Sequence, residues 1–160
     1  MLIGAVGYNV IQLAGMMYAT SIIERMGRVR VQLIGFSLVA LGIVTLALSQ
    51  SVVSDSILSV GLLVLGLALV AFFQGWPAVS TFLLAAELFP TRLRGTAHGL
   101  ASGAGKIGAA IAVFGFPALI ASTSLGIAMA YSLAAAIAGF AVTAALRVET
   151  TGKSLEELNR

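Results

Sequence analysis

Residues 56–86 read SILSVGLLVLGLALVAFFQGWPAVSTFLLAA, and no side chain in this stretch is charged. The hydrocarbon core of a bilayer, about 30 Å thick, is crossed by about 20 apolar residues of α-helix. One straight helix over the whole stretch would extend about 46 Å at 1.5 Å per residue. The stretch therefore predicts a membrane span that is longer than it needs to be, and Gly75 and Pro77 predict an interruption of its helix.

The composition agrees with lipid as the main solvent of the chain. Hydrophobic residues make up 59% of the 160 residues and charged residues 9%, with a mean hydropathy of +1.07. A water-soluble domain of this size needs more charge to cover its surface. The chain has no cysteine, which excludes disulfides and cysteine-based metal sites.

Five segments are long and apolar enough to be spans, so we expect an all-α, polytopic membrane protein. Their approximate bounds are 2–23, 31–49, 57–86, 96–118 and 124–146. Residues 1–146 then form one helix bundle, and residues 147–160 form a tail. The SLEE run at 154–157 fits a capping box, which predicts a short interfacial helix in that tail. The first span begins almost at Met1, so we expect the chain to be part of a longer protein.

Basic residues concentrate on one side of the predicted spans. Eight of the nine lie in the first separator, the third separator or the tail: Arg25, Arg28, Arg30, Arg92, Arg94, Arg147, Lys153 and Arg160. The second and fourth separators contain none. By the positive-inside rule, the C-terminus is predicted to be cytoplasmic and the protein integral to the cell (inner) membrane. The basic excess therefore reflects topology, and no nucleic-acid partner is expected.

Lys106 is the ninth basic residue, and it lies inside the fourth predicted span. From Thr96 it is ten residues in, or about 15 Å, which is close to the midplane. A central lysine costs about 2.5–3.5 kcal/mol on insertion scales. We therefore expect it to face a cavity and attract an anionic solute, or else to pair with a buried carboxylate and stabilise the bundle. No carboxylate of the five spans lies near that depth.

The predicted helix break supplies further candidate solute-binding residues. Gln74, Trp76, Ser80 and Thr81 lie beside Gly75 and Pro77. Interrupted helices at membrane depth are tolerated where they line a cavity, and transporter sites are often built there. A proline kink that only fits the bundle together is the alternative interpretation.

Polar chemistry elsewhere in the spans is sparse. His98 is the only histidine, and we expect it at the membrane interface, with a proton relay as the weaker alternative. No carboxylate pair or metal-binding cluster is visible in the sequence. We therefore predict that the protein is not an enzyme and needs neither a metal nor a cofactor.

Three motifs resemble the major facilitator superfamily, in its sugar and phosphate branch. ERMGRVR at 24–30 is similar to the loop motif D-R-x-G-R-R, and AELFPTRLRG at 86–95 is similar to the sequence after the tenth helix. VETTGKSLEE at 148–157 is similar to the tail motif P-E-T-K-G-K-S-L-E-E. The resemblance implies helices eight to twelve of a twelve-helix fold, which is most of its C-terminal six-helix bundle.

The run from Glu87 to Phe116 is most similar to the phosphate:proton symporters of fungi and plants, whose helix-eleven lysine matches Lys106. The resemblance implies alternating-access symport of phosphate or another small anion with protons. The implied partners are the lipid bilayer, the missing N-terminal helices, the solute and protons. Ala78 stands where these symporters have a phosphate-contacting asparagine, so a sugar porter remains an alternative. A non-transporting, truncated membrane protein is a further alternative.

The resemblance also implies a cytoplasmic gate made of charged residues. Its members would be Glu24, Arg25, Arg28, Glu87, Arg92, Arg94 and Glu149. In the family, loop arginines pair with the glutamate that ends helix ten. Arg25 and Arg28 are therefore expected to face Glu87, with a second contact from Arg92 or Arg94 to Glu24 or Glu149.

Overall fold

The computed structural model describes residues 2–52, 56–90 and 92–147, and these form six α-helices without a strand. The helices are α1 (Leu2–Met26), α2 (Arg28–Ser51), α3 (Ile57–Phe73), α4 (Gly75–Glu87), α5 (Arg94–Ser122) and α6 (Leu125–Leu146). The predicted all-α class is confirmed. The predicted tail helix and the gate residue Glu149 lie outside the described residues.

Four segments of the described chain are long and apolar enough to cross a membrane: Arg28–Ser51, Ile57–Glu87, Arg94–Ser122 and Leu125–Leu146. They correspond to the second to fifth predicted spans. Helix α1 covers the first predicted span with 25 residues, but it is not among these four. It carries Asn9 and Gln12, which make it more polar. Its crossing of the bilayer therefore stays a prediction.

The predicted interruption lies at Gln74, between α3 and α4. Proline has no backbone N–H, so Pro77 cannot donate the helical hydrogen bond to the carbonyl of Phe73. The last turn of α3 still closes, because the Gln74 N–H donates to the Val70 carbonyl at 3.0 Å. The 31-residue apolar segment is thus two helices joined end to end.

Helix α2 lies at the centre of the bundle and packs against α3, α4 and α6. Helix α1 packs on α3 and α4, while α5 packs on α4 and α6. Gly27 alone separates α1 from α2, with φ at 92°. Residues other than glycine rarely adopt this backbone conformation, which explains why a glycine makes this tight reversal.

The helices alternate in direction, so one end of the bundle collects the termini that carry charge. This charged end comprises the end of α1, the start of α2, the end of α4, the start of α5 and the end of α6. The buried core lies close to it and contains Ala19, Ile23, Val31 and Trp76. Helix α5, in contrast, has no buried residue along its whole length.

Helices α1 and α3 approach each other closely at Gly15. A Cβ atom built there would overlap the backbone carbonyl of Phe72. Gly7, two turns earlier on the same helix, has open space around it. Small residues at helix contacts let backbones approach in lipid, so Gly15 sets the distance between α1 and α3.

We expect Gly15→Ala to destabilise the chain, because overpacking costs about 1–3 kcal/mol and exceeds the gain in helix propensity. The matched control Gly7→Ala should be neutral or stabilising by up to about 1 kcal/mol. Thermal unfolding of both variants in detergent, followed by circular dichroism, measures the difference. Equal melting temperatures for the two variants would contradict the close contact at Gly15.

Candidate functional site

Arg28 joins three helices in a buried ion cluster at the charged end. Its Nη2 donates to Glu87 Oε1 at 2.7 Å, and its Nε donates to Glu87 Oε2 at 3.2 Å. It also donates to both carboxylate oxygens of Glu24, at 2.8 and 3.1 Å. Two-point pairing of this kind is stronger and more directional than a single contact. The predicted pairing of Arg28 with Glu87 is therefore present.

The members of this cluster differ in exposure. The Arg28 side chain is 7% exposed and that of Glu87 21%, whereas that of Glu24 is 68% exposed. Water screens an exposed pair, whereas removal of one partner from a buried pair leaves the other charge without compensation. Loss of the Glu87 carboxylate is therefore expected to cost more than loss of the Glu24 carboxylate.

The remaining predicted gate arginines make no ion pair with Glu24 or Glu87 among the described residues, and the expected contact to Glu149 lies outside them. Arg25 and Arg92 are exposed, and neither pairs with a carboxylate among the described residues. Arg94 is partly buried and does not contact Glu24.

A cleft of about 360 Å³, the Lys106 cleft, lies between α4 and α5. Its lining residues are Pro77, Ala78, Thr81, Phe82, Ala101, Ser102, Gly105, Lys106 and Ala109. Lys106 is twelve residues into α5, or about 18 Å from its start, and is exposed to the cleft. It forms no ion pair within the described ranges. Lys106 and Thr81 thus line the same cleft, and their binding of a solute stays a prediction.

The two hydroxyls of the cleft differ in their hydrogen bonds. Thr81 donates to the Pro77 carbonyl at 2.7 Å and accepts from Gln32 Nε2 at 3.4 Å, so its only hydrogen is used. Ser102 makes no hydrogen bond in the part of the chain that the structure describes. Ser102 is therefore free to donate to a solute beside Lys106, and the sequence analysis did not find it.

Two predicted solute-binding residues lie in the core instead. Trp76 is 4% exposed and packs with Phe72 and Phe73. Ser80 is fully buried and donates to the Trp76 carbonyl at 3.2 Å. These two side chains are buried and do not line the Lys106 cleft, and their role in solute binding stays a prediction.

Gln74 lies apart from Lys106, at the helix break. Gln74 lines a second, mostly apolar cavity of about 580 Å³, to which α2, α3, α4, α5 and α6 all contribute residues. The described residues hold no group of three or more histidine, cysteine or carboxylate side chains that could bind a metal.

The described chain has apolar helices that alternate in direction, one interrupted span and a charged cluster at one end. These features define a polytopic α-helical membrane protein. A family model described as "Sugar (and other) transporter" matches residues 2–160. The chain belongs to this family of membrane transporters, which confirms the resemblance found in the motifs.

Similar proteins include inorganic phosphate transporter 1-11 of Oryza sativa subsp. japonica, 36% identical over 149 residues. Low affinity inorganic phosphate transporters 4 and 5 of Petunia hybrida are 32% and 30% identical over 148 residues each. Each match covers 91% of this chain. The chain spans only 26–28% of the length of these relatives.

We expect Glu87→Gln to destabilise the chain more than Glu24→Gln does. Losing the buried carboxylate removes a charge-assisted contact of about 1.5–3 kcal/mol, whereas an exposed pair contributes about 0–1 kcal/mol. Thermal unfolding of the two variants at low and high salt checks this order. Equal destabilisation, or a Glu87→Gln effect that salt abolishes, would show that the cluster is screened rather than buried.

Proposed function

We propose that the chain is the C-terminal part of a proton-coupled symporter that moves phosphate or another small anion by alternating access. The observation that carries the proposal is the unpaired ammonium of Lys106, which faces the cleft near the middle of α5. A charge at that depth is expensive unless a partner or water compensates it. An anionic solute in the cleft is such a partner.

The chemistry of the cleft fits a small oxyanion. Lys106 offers three N–H donors and a positive charge, and Ser102 offers a free hydroxyl donor. At neutral pH, phosphate offers oxygens that accept hydrogen bonds. Its only donor is the acidic hydrogen that it retains. A neutral sugar would leave the ammonium without a counter-charge, so the cleft favours an anion over a sugar. The phosphate transporters among the relatives support the same choice.

Transport would also require helices that this chain does not supply. No residue of α5 is buried, so its surface is available for packing against further protein. Alternating access requires two halves that rock around a shared site, and the Lys106 cleft would lie between them. No carboxylate of the described apolar segments lies near the cleft, so the proton-carrying groups would come from the missing half.

The proposal also assigns an orientation and a gate. The charged end would face the cytoplasm, because it collects the arginines of the described chain. The ion cluster of Glu24, Arg28 and Glu87 would hold α2 against α4 while the protein is open to the outside. Arg25, Arg92 and Arg94 have no such contact among the described residues, and we assign them to contacts with Glu149 or with the opposing half.

Chemical labelling tests the anion site directly, because Lys106 and Lys153 are the only lysines. We expect phosphate to slow acetylation of Lys106 in the purified chain severalfold and to leave Lys153, the internal control, unchanged. Mass spectrometry of each peptide gives the two rates. Protection of Lys106 by glucose and not by phosphate would favour the sugar porter, and equal effects at both lysines would contradict a site.

Substitution separates binding from folding. In a chimera with the preceding helices of the rice transporter, we expect Lys106→Met to reduce phosphate affinity about 10- to 100-fold, the loss of roughly 1.5–3 kcal/mol. Lys106→Arg keeps the charge and should lose less. Phosphate uptake and thermal unfolding are measured together, with the parental transporter as the control. A Lys106→Met variant that takes up phosphate normally but melts much earlier would make the lysine structural.

The same chimera tests the gate. We expect Glu87→Gln to shift the population toward inward-open states, since the outward-open state loses a contact that the inward-open state does not make. Cysteine labelling at each membrane face reports the shift, and this chain contributes no background cysteine. Labelling that stays the same at both faces would contradict the gate role of Glu87.

A further inference from the structure

The Lys106 cleft contains two kinds of polar group. Of its nine lining residues, Thr81, Ser102 and Lys106 carry polar side chains. The ammonium of Lys106 can only donate hydrogen bonds, and the free hydroxyl of Ser102 can turn to donate. Both therefore attract any oxyanion, whether or not that anion has a hydrogen of its own. Discrimination among oxyanions then depends on Thr81.

The hydrogen of the Thr81 hydroxyl is used within α4. Thr81 Oγ1 donates it to the Pro77 carbonyl at 2.7 Å, the usual length of a good hydrogen bond between two oxygen atoms. Threonine side chains in helices can bond to the carbonyl four residues earlier in this way. Turning the hydrogen toward the cleft would give up this bond. The hydroxyl oxygen of Thr81 therefore faces the cleft as a hydrogen-bond acceptor.

Gln32 on α2 closes a second direction to the same hydrogen. Its Nε2 donates to Thr81 Oγ1 at 3.4 Å and so occupies one lone pair of that oxygen. The opposite orientation of the amide would place two N–H donors where Oε1 lies. That position is shielded from solvent and has no hydrogen-bond partner in the described part of the chain. A buried N–H is left unpaired less often than a buried C=O, which favours Nε2 as the atom that contacts Thr81.

We propose that Thr81 is the acceptor that makes the cleft select oxyanions which retain a hydrogen, so that it binds hydrogen phosphate in preference to sulfate. This inference rests on the proposed function and narrows its substrate class. After the bonds to Pro77 and Gln32, Thr81 Oγ1 has one lone pair left. The hydroxyl of a hydrogen phosphate can donate to that lone pair, while Lys106 and Ser102 donate to other oxygens of the anion.

Sulfate has the same tetrahedral shape, but at neutral pH it has no hydrogen to donate. One of its oxygens would face the lone pair of Thr81, or else the Thr81 hydrogen would have to leave the Pro77 carbonyl. A site that bonds a hydroxyl of its substrate rejects the analogue without it, because the site's own polar group then stays unpaired. The contrast amounts to one neutral hydrogen bond. It predicts a preference of about 3- to 10-fold, or about 0.6–1.4 kcal/mol.

Protection of Lys106 from acetylation gives an apparent affinity for each anion in the purified chain, at constant pH and ionic strength. We expect phosphate to protect at about 3- to 10-fold lower concentration than sulfate. Thr81→Val keeps the shape of the side chain but removes the acceptor, so it should bring the two affinities together. Thr81→Ser retains the hydroxyl and should keep most of the preference.

Thr45→Val is the matched control. Thr45 makes the same kind of bond, to the Leu41 carbonyl at 2.8 Å, but it does not line the cleft. We expect this variant to keep the preference for phosphate. A second pair of anions repeats the comparison, since arsenate retains a hydrogen at neutral pH and selenate does not. Arsenate should behave like phosphate, and selenate like sulfate.

The ratio of the two affinities separates selection from structure. Equal protection by phosphate and sulfate, or a stronger effect of sulfate, overturns the inference and leaves the proposed function standing. So does a Thr81→Val variant that loses affinity for both anions at an unchanged ratio, because the threonine is then only structural. Loss of the preference in Thr45→Val also overturns it. If neither anion protects Lys106, the inference and the proposed function fail together.

Discussion

A charged side chain loses its hydration in hydrocarbon, and this cost determines where each charge of the chain lies. The bundle meets the cost in two ways. Arg28 is buried and satisfied by two carboxylates, which hold α2 against α1 and α4. Arg25 and Arg92 stay exposed at the ends of helices. Lys106 and Arg94 form no ion pair among the described residues, and we infer that a ligand or another part of the protein compensates their charges.

The sequence predicted the helices well, because lipid forces the backbone to satisfy its own hydrogen bonds. Long uncharged runs then have to be helical. A proline such as Pro77 has to interrupt the backbone hydrogen bonds of the helix one turn earlier. The pairing of Arg28 with Glu87 followed from motif resemblance. The tight reversal at Gly27 explains physically why that motif carries a glycine.

The sequence did not predict which face of α4 lines the cleft. In water, polar residues would mark the exposed face, but in lipid the core and the outside are both apolar. Trp76 and Ser80 face the core, while Ala78 and Thr81, one or two positions away, face Lys106. Only the packing of α1 and α2 decides between these faces. The atoms of Arg94 and His98 that make no hydrogen bond among the described residues could be found only from the coordinates.

The break at Gln74 has a mechanical consequence. Helix α4 has 13 residues and is about 20 Å long. It follows the break at Gln74, where the hydrogen bond from position 77 to the Phe73 carbonyl is missing. Its far end holds Glu87 in the ion cluster, and its middle holds Ala78 and Thr81 against the cleft. A rotation of α4 about the break would displace Glu87 about three times as far as Ala78, because these residues lie 13 and four positions beyond Gln74. Under the proposed function, a change of width at the Lys106 cleft would therefore be accompanied by a larger displacement at the ion cluster.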